Sequence, residues 1–341
     1  MTTASKPLSV LYLTPYYYTG RGNAATAERM KTYLERAGYH VMVHAFEEED
    51  EPLDEKLEQA DIVHALHVRR TAEFVKAYGL FIKQPLVLTS GGTDINIDLQ
   101  DAGKKQDMKQ LLAKAGALTV FTEDAKQKIL KGFPWLSGKV TVIPQAVDLP
   151  EGEPKAPRFL PEGSPKLLLP AGLRPVKDIF YVCGALQENI SRFPDLQLLV
   201  VGEGMDEKVQ QEVEKREAEL SWFSWHPPVK RKNMKAFYQW ADVVLNTSVS
   251  EGQPMSLLEG MVHGVPALAR RNGGNESIID SAGNGWLFST PEDFVKILET
   301  LMQDPVLYRR TAAQAEKYAA RYHHPEDEAA RYMALYDSLR Q

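Results

Sequence analysis

The chain has 341 residues, of which 43% are hydrophobic and 25% are charged, and its net charge at pH 7 is −6. This composition is typical of a globular protein, and the length suits two α/β domains better than one. The lack of a basic excess disfavours a nucleic-acid binder. The single cysteine, Cys183, excludes a disulfide framework. Together with an N-terminal apolar run too short for a signal peptide, it favours the cytoplasm.

The first half alternates short apolar runs with helix-compatible segments. The predicted strands are Leu8–Leu13, Val41–Phe46, Ile62–Leu66, Pro85–Thr89, Ala117–Phe121 and Val140–Ile143. A helical pattern from about Ala24 to Ala37 ends at Gly38, a residue type that is common just after helices. The acidic run Glu47–Glu58 is expected to be a solvated loop leading into a short helix. Strands alternating with helices predict a parallel sheet with right-handed crossovers.

A proline-rich segment, residues 150–165, separates this half from a second series of strands and helices. The second series of predicted strands is Lys166–Pro170, Leu196–Val201, Trp222–Trp225, Val243–Asn246, Val265–Ala269 and Trp286–Phe288. The sequence therefore predicts two Rossmann-like, doubly wound α/β domains at 1–152 and 166–318, a linker at 153–165 and a helical end at 319–341. In such sheets ligands bind outside the carboxyl ends of the strands.

Two glutamates after one predicted strand carry the strongest chemical signal. Glu251 lies in the loop after Val243–Asn246, and Glu259 follows it after seven intervening residues. Pro254 suits the first turn of the helix that carries Glu259. Glu251 can accept hydrogen bonds from sugar hydroxyls, and Glu259 can reach a ribose diol. The backbone N–H groups expected to bind phosphate at this helix N-terminus are those of Met255, Ser256 and Leu257.

This segment resembles the donor-binding signature of the retaining glycosyltransferases of family four, the group one family, which have the GT-B fold. Their Glu-x7-Glu motif is matched by Glu251 and Glu259. Their Gly-x-Pro and Gly-Gly-x-Glu elements are matched by Gly264–Pro266 and Gly273–Glu276. Within the family, the second half looks closest to the small glycosyltransferase-one-domain-containing proteins.

The resemblance implies a retaining glycosyltransferase with two domains facing a cleft and a C-terminal helix that returns to the first domain. A nucleotide-diphosphate sugar would be the donor, bound by the second domain, and the acceptor is not identified. The resemblance implies neither a metal ion nor another cofactor, and the chain has no Asp-x-Asp motif. Attack would come from the side of the leaving group.

A second signal is the loop Ala171–Asp178, directly after the first strand of the second domain. Arg174 and Lys177 bring two cations to this loop, where they can neutralise a departing nucleotide diphosphate. The family has an arginine and a lysine here; Lys177 matches directly and Arg174 with a small shift in spacing. The family's glycine turn after a later strand is matched by Gly202 and Glu203, which are therefore also predicted to bind the donor.

The loop after the first strand contains Gly20, Arg21, Gly22 and Asn23, with Asn23 as the expected N-cap of the next helix. The resemblance places this loop beside the donor phosphates or the acceptor, which makes Gly22 and Asn23 candidate donor-binding residues. A dinucleotide-binding Gly-x-Gly-x-x-Gly is disfavoured because Ala25 occupies its last position and no acidic residue ends the second strand.

Further residues resemble the acceptor side of the family. They are Thr93, Asp94 and Gln145. Family members often have a histidine where this chain has Gly91, and an Asn-Gly pair where it has Gln145-Ala146. His64 and His67 have a spacing compatible with zinc, but no third ligand is evident, so packed or cleft-lining histidines are favoured.

Three alternatives stay open. The protein could be a sugar-nucleotide epimerase or hydrolase on the same fold, which would need acid and base carboxylates beside the bond that breaks. It could also be a non-catalytic relative that binds nucleotide sugars. Peripheral membrane contact is the third, through the residues Lys126, Lys128, Lys131, Phe133 and Trp135, although an ordinary charged helix is favoured there.

Overall fold

The computed structural model describes residues 7–19, 22–150, 152–155, 157 and 159–340. The chain divides into two compact units, of which one comprises Met1–Ala146 with Pro325–Gln341 and the other Val147–His324. The second unit thus begins ahead of the linker predicted at 153–165. The chain rejoins the first unit at Pro325, a few residues after the start predicted for the C-terminal segment.

The first unit contains a six-stranded parallel sheet with the order β2-β1-β3-β4-β5-β6. Its strands are β1 (Ser9–Thr14), β2 (His40–Ala45), β3 (Ile62–Leu66), β4 (Leu86–Thr89), β5 (Ala117–Val120) and β6 (Val140–Val142). Both faces are covered, because alternate residues of β1 enter different apolar clusters. Leu11 and Leu13 belong to one cluster, and Val10 and Tyr12 belong to the other.

Helices connect these strands. They are α1 (Gly22–Arg36), α2 (Asp54–Gln59), α3 (Val68–Ala77), α4 (Thr93–Asn96), α5 (Ala102–Lys114) and α6 (Glu123–Gly132). The side chain of Asp101 caps α5 and that of Thr122 caps α6, which satisfies backbone donors that the helices themselves cannot pair. Gly38 follows α1 with a φ of 91°, as the sequence predicts for a residue just after a helix.

The second unit contains another six-stranded parallel sheet, with the order β12-β11-β10-β7-β8-β9. Its strands are β7 (Lys166–Pro170), β8 (Gln197–Val201), β9 (Phe223–His226), β10 (Val243–Asn246), β11 (Ala267–Arg270) and β12 (Gly285–Phe288). Leu167 and Leu169 face one apolar cluster while Leu168 faces the other. Both sheets therefore have the doubly wound α/β architecture predicted from the sequence.

The helices of the second unit follow the same alternation up to β12, after which the chain is helical. They are α7 (Cys183–Glu188), α8 (Glu207–Glu219), α9 (Met234–Trp240), α10 (Met255–Val262), α11 (Gly273–Glu276), α12 (Pro291–Gln303) and α13 (Pro305–Tyr322). Gly264 follows α10 with a φ of 69°, which lets the chain turn back into β11.

The last helix, α14 (Pro325–Ser338), packs on the first unit. Its Glu328 accepts hydrogen bonds from Nε of Arg29 in α1 at 2.6 Å and from Nη2 at 3.1 Å. The hydroxyl oxygen of Tyr336, on the same helix, lies 2.6 Å from Nδ1 of His64. These side chains are buried, so α14 is part of the core of the first unit.

The acidic run after β2 differs from the solvated loop predicted for it. The carboxylate of Glu48 accepts hydrogen bonds from the backbone N–H groups of Tyr17, Tyr18 and Thr19 at 2.6–3.2 Å. These bonds outweigh the effect of burial and lower the pKa of Glu48. The acidic side chain therefore organises the loop after β1, while the short helix predicted beyond it is present as α2.

Candidate active site

Two loops of the second sheet meet where its strand order reverses. β7 lies between β8 and β10. The chain therefore adds β8 and β9 on one side of β7 and then crosses to the other side to form β10. Such a switch point creates a crevice outside the carboxyl ends of the strands, where doubly wound proteins bind their ligands. The loop after β7 carries Arg174 and Lys177, and the loop after β10 carries Glu251. The three residues predicted to be catalytic therefore stand at neighbouring strand ends.

A close approach between two backbone segments shapes the loop after β7. A Cβ atom on Gly202 would lie 2.0 Å from the carbonyl oxygen of Ala171, so this position requires glycine. The N–H group of Leu173 donates to the carbonyl oxygen of Glu203 at 2.8 Å. Gly202 and Glu203 were predicted to bind the donor, and the contacts observed for them hold the backbone of the cationic loop.

Arg174 precedes a turn of 3-10 helix over Pro175–Lys177. Its Nε atom is buried and has no hydrogen-bond partner in the part of the chain that the structure describes. A guanidinium group with an unused donor is suited to an oxyanion, because its planar N–H groups match the spacing of phosphate oxygens.

Lys177 and Glu251 form an ion pair across the switch point. The Nζ atom of Lys177 lies 2.6 Å from Oε1 of Glu251, and the same oxygen accepts hydrogen bonds from Ser248 at 2.6 Å and Asn246 at 3.0 Å. Burial alone raises the pKa of Glu251, but the charge of Lys177 and these hydrogen bonds outweigh it and lower the pKa. Glu251 is therefore ionised at neutral pH.

A network that the sequence analysis missed fixes the loop around Glu251. Oδ1 of Asn246 accepts hydrogen bonds from the N–H of Ser248 at 3.0 Å and from Nδ2 of Asn275 at 3.2 Å. A Cβ atom on Gly274 would lie 2.7 Å from the carbonyl oxygen of Glu251, so glycine lets the two loops touch. A polar residue at the end of an apolar strand, such as Asn246, is the signal that could have revealed this network.

The N-terminus of α10 faces the same crevice through the loop that carries Glu251. Pro254 is the N-cap and has an extended backbone, so it lies one residue ahead of the first turn in which it was predicted. The N–H of Leu257, one of three predicted phosphate donors, already donates to the carbonyl of Pro254 at 3.2 Å. Within the described chain, the backbone bonds outside helices and strands include none from Met255 or Ser256. Their N–H groups remain as donors at the positive end of the helix.

Glu259 lies further along α10 and lines a pocket of about 520 Å³. Its Oε1 lies 3.2 Å from Nε of Arg231, and its Oε2 accepts a hydrogen bond from the hydroxyl of Tyr238 at 2.8 Å. Arg231 also donates to the carbonyl oxygen of Asp148. The ring of Tyr238 stacks on His263 with centroids 5.6 Å apart. The pocket therefore offers an anchored carboxylate beside aromatic surface, an arrangement that suits a sugar with adjacent hydroxyls.

Two other predicted donor-binding residues lie in the first unit. Gly22 and Asn23 are the first residues of α1, so Asn23 is inside the helix and not the N-cap that the sequence analysis expected. Gly20–Arg21, the rest of that predicted loop, lie outside the described residues. Gln145 is buried and accepts a hydrogen bond from Thr26 of α1 at 2.8 Å, which ties the segment after β6 to this helix.

The remaining acceptor-side candidates, Thr93 and Asp94, are the first two residues of α4. Thr93 is exposed, whereas Asp94 is fully buried. The carboxylate of Asp94 accepts hydrogen bonds from the N–H groups of Val68 and Gly92 and from the hydroxyl of Ser90, at 2.8–2.9 Å. Thr93 can therefore contact a ligand directly, while Asp94 organises the loop.

The two histidines considered for zinc are engaged in other contacts. His64 bonds to Thr89 through Nε2 at 2.6 Å, and Nε2 of His67 lies 3.0 Å from the hydroxyl oxygen of Thr93. Across the described residues, no three His, Cys, Asp or Glu side chains are grouped so as to hold a metal ion. None of the described helices combines the length and the apolar character that a membrane crossing requires.

Comparison with known proteins finds a family match in the second half of the chain and a relative that is similar along most of its length. Residues 152–319 match the family model described as glycosyl transferases group 1. Glycosyltransferase 1 domain-containing protein 1 of Xenopus tropicalis is 29% identical over 327 residues, which are 92% of this chain and 93% of that protein. The matched segment contains the cationic loop, both glutamates and most of the residues that line the pocket described above.

Solved structures share the fold at low identity. HepE from Anabaena, in complex with UDP and glucose, superposes with a TM-score of 0.76 at 14% identity, covering 97% of this chain and all (100%) of that chain. Sucrose-phosphate synthase from Thermosynechococcus elongatus gives a TM-score of 0.77 at 15% identity, covering 97% of this chain and 99% of that chain. The fold is GT-B, and residues 152–319 of this chain match the glycosyl transferases group 1 family.

Proposed function

We propose that this protein is a metal-independent retaining glycosyltransferase that moves a sugar from a nucleotide-diphosphate sugar to an acceptor. The observation that carries this proposal is the switch point of the second sheet. Lys177 pairs there with the ionised carboxylate of Glu251, Arg174 lies in the same loop as Lys177, and α10 begins shortly after Glu251. Glu259 lies on the same helix and lines a pocket large enough for a nucleoside.

In this proposal the donor diphosphate binds to Arg174, Lys177 and the N–H groups of Met255 and Ser256. Negative charge builds up on the diphosphate as the bond to the sugar breaks, and fixed positive groups stabilise that charge. The chain supplies two cations and a helix N-terminus for this purpose. Because these groups can stabilise the charge of the leaving diphosphate, they support transfer without a metal ion.

The two glutamates hold the two sugars of the donor. Glu251 is ionised, so it accepts hydrogen bonds from hydroxyl groups of the sugar that is transferred. Glu259 accepts hydrogen bonds from the ribose diol, and it exchanges contacts with Arg231 or Tyr238 as the donor enters.

Retention of the anomeric configuration fits the tethering of Glu251. Its Oε1 atom is held by Lys177, Ser248 and Asn246, which suits a carboxylate that orients the sugar better than one that moves to attack it. We therefore propose that the acceptor attacks from the face that the diphosphate leaves. The cytoplasmic location expected from the composition stays a prediction.

Thermal unfolding with UDP-, GDP- and ADP-sugars tests the donor site. HepE has been solved with UDP-glucose, so this donor is tried first. A ligand that binds only the native state at a hundred times its Kd stabilises it by about 2.7 kcal/mol. We expect one sugar nucleotide to raise Tm in the wild type and in the exposed control Glu219→Ala, and to lose this effect in Glu259→Ala. If no nucleotide sugar raises Tm, the proposed donor site is wrong.

Turnover separates a transferase from its alternatives. We expect release of nucleoside diphosphate to depend on an added acceptor, to persist in EDTA, and to yield a product with the anomeric configuration of the donor by NMR. Release without any acceptor indicates a hydrolase or epimerase. Donor binding without release indicates a non-catalytic relative, and an inverted product contradicts retention.

A further inference from the structure

Arg270 is the last residue of β11, and it places a charge at the end of an otherwise apolar strand. The three residues before it, Ala267–Ala269, are fully buried. β11 lies next to β10 in the sheet, so its carboxyl end stands beside the loop that carries Glu251. Ligands of doubly wound sheets bind at this edge. None of the proposed donor contacts uses Arg270, although it lies where a ligand is expected.

The guanidinium group of Arg270 is oriented by two neighbours. Its Nη1 atom lies 2.7 Å from Oδ2 of Asp178, the last residue of the cationic loop. Its Cζ atom lies 3.7 Å from the centroid of the Tyr181 ring, so the cation stacks on an aromatic face. The hydroxyl of Tyr181 donates to the carbonyl oxygen of Ser289 at 2.8 Å, which holds the ring in place. Arg270 therefore has a defined orientation although its side chain is 23% exposed.

Asp178 ends the cationic loop with a left-handed backbone. Its φ is 41° and its ψ is 50°, a region in which aspartate is one of the few residues with a side chain that occurs regularly. Its N–H donates to the carbonyl of Pro175 at 3.1 Å, which closes the turn that contains Lys177. Such a conformation persists where surrounding contacts impose it. The ion pair with Arg270 is one of these contacts, because it anchors the side chain of Asp178 to the end of β11.

The backbone of Lys177 is tied to the same corner of the sheet. Its carbonyl oxygen accepts a hydrogen bond from the hydroxyl of Thr247 at 2.9 Å. Nη1 of Arg270, besides its bond to Asp178, lies 3.4 Å from the carbonyl oxygen of Thr247. Through these two contacts Arg270 fixes the backbone of Lys177 relative to β10 and β11. The ammonium group of Lys177 is meanwhile paired with Glu251.

The position of the Lys177 ammonium group depends on this support. The group ends a flexible four-carbon chain, so its location is only as well defined as the backbone that carries it. Cations that are already in place stabilise a diphosphate better than cations that must first rearrange. The charge of Arg270 is balanced by Asp178, which favours a role in holding the loop over direct binding of phosphate.

We propose that Arg270 is a positioning residue that acts, through Asp178, on the cationic loop. This inference rests on the proposed function and adds to it a residue that does not touch the donor. Arg270 holds the loop so that its cations meet the diphosphate without rearrangement. Loss of the pair with Asp178 therefore weakens binding of a diphosphate. Binding of a nucleoside is unaffected, because the pocket at Glu259 is lined by other residues.

Titration with a nucleoside diphosphate and with its nucleoside tests this proposal. UDP and uridine are the first pair of probes, followed by the guanosine and adenosine pairs; calorimetry measures the diphosphate and NMR the nucleoside. Arg270→Gln removes a positive charge, and Asp178→Asn removes a negative charge while tolerating the left-handed backbone. We expect each to lower the affinity for the diphosphate by between about threefold and tenfold, the range for one lost hydrogen bond.

Three further results are expected from the same titrations. The double variant of Arg270 and Asp178 should bind the diphosphate no more weakly than the weaker single variant, because both substitutions break one interaction. Affinity for the nucleoside should stay unchanged in all of these variants. The control Arg192→Gln, which breaks a surface pair with Glu299, should match the wild type in both titrations.

The opposite charge changes separate positioning from direct attraction. If Arg270→Gln weakens binding of the diphosphate but Asp178→Asn does not, Arg270 acts by its charge and the inference is overturned. It is also overturned if both variants match the wild type, or if they lose affinity for the nucleoside as much as for the diphosphate. These outcomes leave the proposed function standing. If the wild type binds none of the three diphosphates, the proposed function fails and this inference fails with it.

Discussion

The ion pair between Lys177 and Glu251 couples the stability of the second unit to the proposed donor site. The folded-state pKa of Glu251 lies below its ordinary value of about 4.3, so the carboxylate contributes stability above that pH. This contribution is lost as the pH falls through the folded-state pKa. Glu251 therefore makes the stability of the second unit decrease at acidic pH, an effect that an exposed glutamate does not have.

We expect Glu251→Gln to lower Tm at about pH 7, because the substitution removes the charge that Lys177 and the hydrogen bonds of Ser248 and Asn246 stabilise. The difference in Tm from the wild type should shrink as the pH falls below the ordinary pKa of a glutamate and through the lowered folded-state pKa of Glu251, because the wild-type carboxylate then also becomes protonated. Calorimetry as a function of pH measures this difference in Tm, with Glu219→Gln as the exposed control. A difference that stays constant with pH would show that the charge of Glu251 does not stabilise the fold.

At the scale of elements, the sequence predicted the strands better than the loops between them. All twelve predicted strands form, because each is a largely apolar run, and central strands such as β3 and β10 are buried on both faces. The ends move by one or two residues, since hydrogen bonding with a neighbouring strand decides where pairing stops. Pro254 shows the same limit, because its place outside the first turn of α10 depends on the loop before it.

The site was predicted in part for a related reason. The spacing of Glu251 and Glu259 is local and could be seen in the chain. The contacts that hold them come from distant segments, such as Asn275 for the loop of Glu251 and Arg231 for Glu259. Position 91 shows how topology intervenes, because the imidazole of His67 beside it comes from the end of another strand and no spacing along the chain indicates that.

The N-terminus of α10 allows a test of the helix itself as a phosphate site. Met255→Pro removes one N–H donor, and proline suits the first helical position because the preceding Pro254 is already extended. Met255→Ala is the matched control, since it removes the side chain and keeps the N–H group. We expect Met255→Pro to weaken donor binding by about 1.5–3 kcal/mol beyond the control, the range for a hydrogen bond to a charged group. Isothermal titration measures the difference, and equal affinities would remove α10 from the donor site.

The whole chain forms its first unit from two separate segments. The chain leaves this unit after Ala146 and returns to it at Pro325, where α14 packs against α1. The pair between Arg29 and Glu328 holds the two segments together, with side chains that are 1% and 2% exposed. Burial lowers the pKa of Arg29, but the charge and hydrogen bonds of Glu328 outweigh that effect and raise it, so the guanidinium remains charged.

Glu328→Ala should destabilise the first unit by about 3–5 kcal/mol, because it leaves a buried guanidinium without its partner. The double variant Arg29→Met with Glu328→Leu should recover most of that loss, since apolar side chains of similar volume often replace a buried ion pair without cost. Because two units need not unfold together, amide hydrogen exchange in α1 and α14 is the appropriate measurement. If the single variant exchanges no faster than the wild type, α14 is held by its buried tyrosines and the ion pair contributes little.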